Sequence, residues 1–176
     1  MYIFCFDVES DGLYGEGFAY GAVVFDEQGL EISYSQLCCL EGIQDQWVKE
    51  NCLPYLTDLP KAESRQRVRQ SFWRFFMKWK EQCHVFSDVV YPVDAQFLRQ
   101  CAQENDGAWD APYPLLDVAS IMFACGEDPL ADGALYTGIK GNAHHPLYDA
   151  RVSAHKLLRL IREGKIKLTN VADRQS

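Results

Sequence analysis

Two acidic residues lie two positions apart, directly after an apolar run near the start of the sequence. The run from Tyr2 to Phe6 is short and rich in aromatic and β-branched residues, which predicts a buried strand. On a strand, Asp7 and Glu9 point to the same face. Neighbouring carboxylates repel each other unless a cation lies between them, and Mg²⁺ and Mn²⁺ prefer oxygen ligands. The simpler interpretation is one solvent-facing acid and one turn cap, so a metal site requires further acids elsewhere in the chain.

Two later segments place acids at the starts of predicted helices. Asp94 lies at the start of a helix predicted over Val93 to Gln103, where the helix dipole favours a charged carboxylate. Pro146 suits the first position of the last predicted helix, which puts Asp149 in its first turn. His144 lies in the loop just before that helix. A histidine there can reach a site that Asp149 helps to form.

The elements that must position these residues predict an α/β protein. Strands over Tyr2 to Phe6, Phe18 to Phe25 and Leu30 to Leu40 are joined by short turns, which predicts an antiparallel meander. Strands then alternate with helices, so we expect a mixed sheet flanked by helices. The remaining predictions are helices over Ile43–Cys52, Lys61–Gln82, Asp117–Cys125 and Pro146–Glu163, strands over His84–Asp88 and Pro112–Leu116, a mobile loop over Gly126–Asn142 and a frayed polar tail over Lys165–Ser176. No repeat or linker is visible, so residues 1–176 are predicted to form one domain with its core at about residues 2–163.

The longest predicted helix combines an apolar stripe with many basic residues. Val68, Phe72, Phe75, Phe76 and Trp79 recur at helical spacing and are predicted to face the core. We interpret the basic residues as a solvated helix face in preference to a phosphate-binding surface; they are Arg65, Arg67, Arg69, Arg74, Lys78 and Lys80.

The composition is that of an ordinary globular protein, with 176 residues of which 48% are apolar. No apolar run approaches ~20 residues and no secretory signal is visible, so we expect no membrane span and a cytoplasmic location. The seven cysteines include no CxxC pair, which predicts reduced core thiols and no zinc site. The net charge of −8 argues against a protein that coats long nucleic acids, but it does not exclude an enzyme that acts on them.

Three motifs, taken in order, resemble those of the DEDDh 3′-5′ exonucleases, also called DnaQ-like exonucleases. The first is the D-x-E strand Asp7-Val8-Glu9, the second is Val93-Asp94-Ala95-Gln96-Phe97-Leu98, and the third is H-x(4)-D-A from His144 to Ala150. The resemblance extends from Tyr2 to about Ile161. The related DEDDy enzymes carry a tyrosine four residues before the last aspartate. That position is His145 here, so the histidine subtype fits, and His145 is the alternative to His144 as the base.

The chain also departs from the family pattern. Ser10 follows the first motif where threonine is frequent, and Val90-Tyr91-Pro92-Val93 replaces an H-N-x-x pattern before the second motif. Asp88 is a rival to Asp94 as the third acid, although Phe97 and Leu98 after Asp94 favour the latter. These differences prevent a simple transfer of substrate preference from the family.

The resemblance implies a ribonuclease H-like mixed sheet and a metal-dependent 3′-5′ exonuclease that acts on single-stranded RNA or DNA, with RNA slightly favoured. Two divalent cations, Mg²⁺ or Mn²⁺ and ~4 Å apart, would be held by the four acids Asp7, Glu9, Asp94 and Asp149. By similarity, Asp7 would bridge the metals, Glu9 and Asp149 would hold the one that carries the attacking water, Asp94 would serve the other, and His144 would be the general base. The products would be nucleoside 5′-monophosphates, and a homodimer is an expectation because many relatives form one.

The resemblance also implies contacts with the 3′-terminal nucleotide. The residues that would make them are Ser10, Gly12, Leu13, Phe97 and His144. Leu13 is equally well explained as a loop anchor, and Phe97 is better explained as a core residue.

Two other function classes are open. A catalytically weak or inactive nucleic-acid-binding or scaffold module could retain the fold, although the complete set of acids and histidine argues against it. A phosphatase of the haloacid dehalogenase kind would use Asp7-Val8-Glu9 as its nucleophile motif, but that family requires an aspartate in place of Glu9.

Overall fold

Five strands form one mixed β-sheet in the computed structural model, which describes residues 2–169. The strands are β1 (Tyr2–Ser10), β2 (Gly17–Asp26), β3 (Glu31–Cys38), β4 (Cys83–Ser87) and β5 (Leu116–Asp117). Their order across the sheet is β3-β2-β1-β4-β5. The first three strands pair in antiparallel fashion, whereas β1 with β4 and β4 with β5 are parallel. The predicted meander and the α/β class are therefore confirmed.

Six α-helices within residues 2–169 flank the sheet. They are α1 (Gln46–Asn51), α2 (Arg65–Trp79), α3 (Val93–Glu104), α4 (Val118–Ala124), α5 (Gly133–Thr137) and α6 (Pro146–Arg162), with one turn of 3₁₀ helix at Leu53–Tyr55. None of the helices in residues 2–169 is both long and apolar enough to cross a membrane.

Alternate side chains of β1 contribute to the cores on the two faces of the sheet. Phe4, Phe6 and Val8 pack in a cluster with residues of α2 and α3. Ile3 and Cys5 pack in a second cluster with residues of α4 and α6. Because side chains alternate along a strand, Asp7 and Glu9 continue the row of Ile3 and Cys5 and lie on the α6 face.

Helix α2 carries the predicted apolar stripe, but its basic residues do not form one solvated face. Arg69 is buried, and its guanidinium forms ion pairs with Glu16 and Glu104. Arg65 pairs with Asp11 and Glu16. The prediction of a solvated face is therefore wrong for Arg69, because acids from the loop after β1 and from α3 surround it.

Two other predictions need correction. The segment 126–142 is not only a loop, because it contains α5. This short helix is tied to α6: the Arg159 guanidinium of α6 lies 4.2 Å from the ring centroid of Tyr136 in α5 and donates to the Tyr136 backbone carbonyl. In the polar tail, Ile166 and Leu168 pack against the core. Residues 170–176 of that tail lie outside the described residues. The seven cysteines are free thiols, six of them buried, as predicted.

Candidate active site

The carboxyl ends of β1 and β4 meet at the same edge of the sheet, because the two strands are parallel and Phe6 pairs with Ser87. A cleft of about 360 Å³ opens there. All four acids and the histidine predicted for catalysis line it, together with Leu13, Asp88, Tyr91, Pro92 and other residues. Asp7, Glu9, Asp94, His144 and Asp149 are thus brought together by β1, α3 and the start of α6.

A glycine in β2 allows α6 to begin directly above the sheet. Gly21 pairs with Asp7 across the β1–β2 ladder. A Cβ atom at Gly21 would lie 2.1 Å from the backbone nitrogen of Leu147 in the first turn of α6. Only a residue without a side chain lets the first turn of α6 lie this close to β2. This close packing places Asp149 beside the acids of β1.

Three of the carboxylates form a compact cluster. Oxygen atoms of Asp7, Glu9 and Asp149 all lie within 4.8 Å of one another. Burial, followed by repulsion from the neighbouring acids, raises the pKa of Asp7 well above its usual value and that of Glu9 to about 8. Burial also raises the pKa of Asp149 to about 7, although the backbone amide of His144 partly opposes this rise. Without a cation, the folded protein therefore holds these acids at a considerable electrostatic cost.

Asp94 is the most deeply buried acid of the cleft, with 4% of its surface exposed. The Ser87 hydroxyl donates to Oδ2 and the Val8 backbone N–H also acts on this carboxylate, but Oδ1 is buried and has no hydrogen bond of normal geometry from residues 2–169. Burial raises its pKa to about 8, against the effect of the Ser87 hydrogen bond. An unpaired buried carboxylate oxygen is costly, and a divalent cation is the group that would best satisfy it.

Asp88, the rival third acid, also lines the cleft but has a different partner. Lys156 of α6 donates to both of its carboxylate oxygens at 3.0 and 2.9 Å. This buried lysine neutralises Asp88 from within the protein. Of the two acids, Asp94 is therefore the one with an oxygen left for a cation.

The two adjacent histidines have different surroundings. His144 faces the cleft: its backbone N–H donates to Asp149 Oδ2 at 2.8 Å, and its Nδ1 lies 4.0 Å from Glu9 Oε1. The ring of Trp47 packs edge-on against the His144 ring at a centroid distance of 5.1 Å. His145 instead caps α6 by accepting from the Tyr148 N–H, and its Nε2 lies 3.6 Å from Asp58.

The predicted substrate-contacting residues do not all reach the cleft. Leu13 lines it and is 60% exposed, so it is available to a ligand. Ser10 and Gly12 shape the loop, since the Ser10 hydroxyl donates to the Gly12 carbonyl and Gly12 has a φ of 80°. Phe97 is 1% exposed and packs edge-on against Phe72, which confirms the preferred core interpretation and corrects its inclusion among the substrate contacts, since it has no free face for a base.

Sequence reasoning missed an aromatic rim beside the cleft. A groove of about 220 Å³ shares Tyr91 and Pro92 with the cleft and continues to Tyr14 and Arg99. Tyr14 is 67% and Tyr91 72% exposed, and Gln96 donates to the Gly15 carbonyl, which ties the Tyr14 loop to α3. The exposed-type aromatic Tyr91 next to Pro92, just before the helix start at Asp94, was the sequence signal that could have indicated this rim.

Cys52 and Gly21 were also missed. The Cys52 sulfur lies within 4.8 Å of a Glu9 carboxylate oxygen, and the burial of that thiol, together with the Glu9 charge, raises its pKa to about 12. No local pattern identifies Cys52. A glycine inside a buried strand is, however, a recognised sign of close backbone approach, so Gly21 could have been singled out.

The donor set of the cleft fits hard divalent cations. All four acids offer oxygen, three of them lie in one cluster, and the fourth has an unsatisfied buried oxygen. Such a set is typical of Mg²⁺ and Mn²⁺ sites.

No protein-family model matches the chain, and no curated protein shows significant similarity to it. The function is therefore inferred from the motifs and from the geometry of the cleft.

Proposed function

We propose that this protein is a metal-dependent 3′-5′ exonuclease of the DEDDh type with a ribonuclease H-like fold. It would hydrolyse single-stranded RNA or DNA from the 3′ end and release nucleoside 5′-monophosphates. The observation that carries the proposal is the convergence of Asp7, Glu9, Asp94, Asp149 and His144 on one cleft, with Asp94 Oδ1 lacking a partner in residues 2–169. The sheet order β3-β2-β1-β4-β5, with an antiparallel meander next to parallel strands, supports the proposed fold.

The four acids would hold two divalent cations. When bound, these cations neutralise the clustered charge, polarise the scissile phosphate and stabilise the leaving oxygen. The acids of β1 and α6 are held by the Gly21 contact, and Asp94 is held by Ser87. Because the carboxylates lie on a strand and at the starts of helices, they are already in position before the substrate binds.

His144 would act as the general base. Its ring lies at the open side of the cleft, 43% exposed, between Glu9 and the edge of Trp47. There it can take the proton of a water molecule that attacks the phosphate of the last linkage. The hydrogen bond from the His144 N–H to Asp149 ties the loop to the acid cluster, so base and acids are positioned together.

The aromatic rim favours a single-stranded substrate. Exposed tyrosine faces stack on unpaired bases of any sequence, whereas the faces of paired bases are covered within a duplex. Tyr91 borders both the cleft and the adjoining groove, where Arg99 supplies a positive charge. The rim would therefore receive the nucleotides next to the 3′-terminal one.

Replacing Tyr91 by alanine is expected to raise the KM for a single-stranded oligonucleotide by ~5- to 100-fold, because one base loses a stacking partner. The p-nitrophenyl ester of thymidine 5′-monophosphate has only one nucleotide, so its hydrolysis should change by less than about twofold. Steady-state kinetics on both substrates check this. Tyr113→Ala is the matched control, since Tyr113 is 99% exposed and borders a different cavity. Equal losses on both substrates would contradict the stacking role.

The proposed activity is tested with 5′-labelled RNA and DNA oligonucleotides in the presence of Mg²⁺ or Mn²⁺. We expect a ladder that shortens from the 3′ end, mononucleotides as products, and complete inhibition by EDTA. Asp94→Asn, purified in parallel, should lower the rate by at least ~100-fold because a cation ligand is lost.

The control for this assay is Asp26→Asn. Asp26 pairs with Tyr2 at the opposite end of β1 from the cleft, so its replacement should leave the rate unchanged. Oligonucleotide binding without turnover under either metal would instead favour the non-catalytic module. Equal activity of Asp94→Asn and the parent protein would overturn the site assignment.

A further inference from the structure

A cysteine, a glutamate and a histidine from three separate segments meet at one side of the cleft. Cys52, Glu9 and His144 each offer a ligand atom, and these atoms all lie within 4.8 Å of one another. Glu9 belongs to β1, Cys52 directly follows α1, and His144 precedes α6. Sequence spacing predicted no zinc site because none of these residues is near another in the chain.

The Cys52 sulfur is directed toward the acids of the cleft. Its side chain belongs to the cluster under α1 and is 1% exposed, yet its sulfur lies within 4.8 Å of a Glu9 carboxylate oxygen. Helix α1 is fixed in this position because Asp11 accepts hydrogen bonds from the backbone amides of Gln44 and Asp45, and Asp45 in turn caps the helix. The fold therefore holds the thiol beside Glu9 and His144, two residues that line the cleft.

We propose that Cys52, Glu9 and His144 form a Zn²⁺ site. Sulfur, nitrogen and oxygen donors together suit zinc, whereas Mg²⁺ takes oxygen donors only. Neighbouring ligand atoms in a tetrahedral zinc site are ~3.5 Å apart, and His144 Nδ1 already lies 4.0 Å from Glu9 Oε1. On binding, the Cys52 thiol gives its proton to solvent as the zinc–sulfur bond forms. The open side of the cleft leaves the fourth position for water.

This zinc site would be distinct from the oxygen cluster but would share a residue with it. Glu9 belongs both to the set with Cys52 and His144 and to the set with Asp7 and Asp149. If the proposed nuclease function holds, zinc at this site would occupy the general base and one acid. Zinc would then inhibit a magnesium-dependent reaction in two ways: it would compete with Mg²⁺ for Glu9, and it would coordinate the His144 ring, which could then no longer accept a proton.

The site is tested by direct metal binding to the full chain, without any measurement of nuclease activity. A chromogenic zinc chelator in competition with the protein, in excess Mg²⁺, should report one bound Zn²⁺ per chain. Titration with Co²⁺ should give a thiolate-to-cobalt charge-transfer band in the near ultraviolet. Cys52→Ser should weaken zinc binding by at least ~100-fold and abolish the band, because a direct ligand matters more than the outer partners that cost 10- to 100-fold.

Two further variants keep the test decisive. His144 is 43% exposed, so His144→Ala is expected to fold and should weaken zinc binding as strongly as Cys52→Ser. Cys125→Ser removes a partly buried cysteine at the end of α4 and should change neither readout. A charge-transfer band that survives in Cys52→Ser, or zinc binding that is lost in Asp7→Asn but not in Cys52→Ser, would overturn the proposal. Because these readouts do not depend on catalysis, they stand or fall separately from the exonuclease assignment.

Discussion

Asp7→Asn is expected to lower nuclease turnover by at least ~10³-fold and, at the same time, to stabilise the metal-free protein. Asp7 lies at the centre of the acids, and its pKa is raised by burial and by repulsion from Asp94, Asp149 and Glu9, in that order. Losing the charge removes cation binding that contributes several kcal/mol to transition-state stabilisation. It also removes a carboxyl group that the metal-free fold can bury only by binding a proton or by bearing the repulsion, so the melting temperature in EDTA at pH 8 should rise by about 2–8 °C.

The same acids determine whether the stability of the metal-free protein rises or falls with pH. Glu9 and Asp94 have pKa values raised to about 8 and Asp149 to about 7, whereas these groups lose their protons near pH 4 in the unfolded chain. Between these limits the folded state binds more protons than the unfolded state, so stability falls as pH rises from about 4 through 7–8. Each net proton costs ~1.4 kcal/mol per pH unit, so even one such proton should lower the melting temperature of the metal-free protein by about 5–10 °C from pH 6 to pH 8.

Thermal unfolding followed by circular dichroism, in EDTA and in Mg²⁺ at both pH values, checks these expectations. Mg²⁺ should raise the melting temperature more at pH 8 than at pH 6, and Asp7→Asn should weaken both the pH dependence and the response to Mg²⁺. The matched control is Asp117→Asn. Burial alone would raise the pKa of Asp117, but hydrogen bonds from Ser120 and Val90 outweigh it and lower the pKa. Its loss should therefore destabilise the protein. A lower melting temperature for Asp7→Asn than for the parent in EDTA would contradict the account of stored repulsion.

The parts of the site that the sequence predicted are those written in short local patterns. The apolar run before Asp7, the helix start at Asp94 and the Pro146 helix start with Asp149 each have a local signature. The strand and helix periods then place these groups at the ends of elements. The structure adds that β1 and β4 are parallel neighbours, so their carboxyl ends coincide.

The parts that were missed depend on contacts between distant segments. In the sequence, Arg69 is indistinguishable from the other basic residues of α2. Its burial is possible because Glu16 and Glu104, which are distant in sequence, form ion pairs with its guanidinium. Cys52 has no motif around it, and it reaches Glu9 only because α1 docks beside the loop after β1. The motif around Phe97 does not by itself distinguish a base-stacking face from a core face, although the preferred core interpretation is confirmed. These outcomes follow from tertiary packing, which local periodicity does not encode.

His144→Ala is expected to reduce turnover by ~10²- to 10⁴-fold, whereas His145→Ala should retain most of it. The two residues are adjacent in sequence, but only His144 has its ring beside Glu9 in the cleft. His145 caps α6, so its loss should cost about 1 kcal/mol of stability and leave the chemistry in place. Single-turnover rates on a 5′-labelled oligonucleotide, together with melting temperatures of both variants, separate the two roles.

The pH profile of single-turnover rates distinguishes a base from a merely structural histidine. If His144 takes the proton of the attacking water, the parent rate should rise with pH and level off, and His144→Ala should lose that rising limb together with the rate. His145→Ala should keep the limb and show a lower melting temperature only. A rate loss in His145→Ala that exceeds the loss in His144→Ala would exchange the two roles. It would mean that the loop before α6 rearranges when substrate binds, carrying the ring of His145 away from Asp58 and into the cleft.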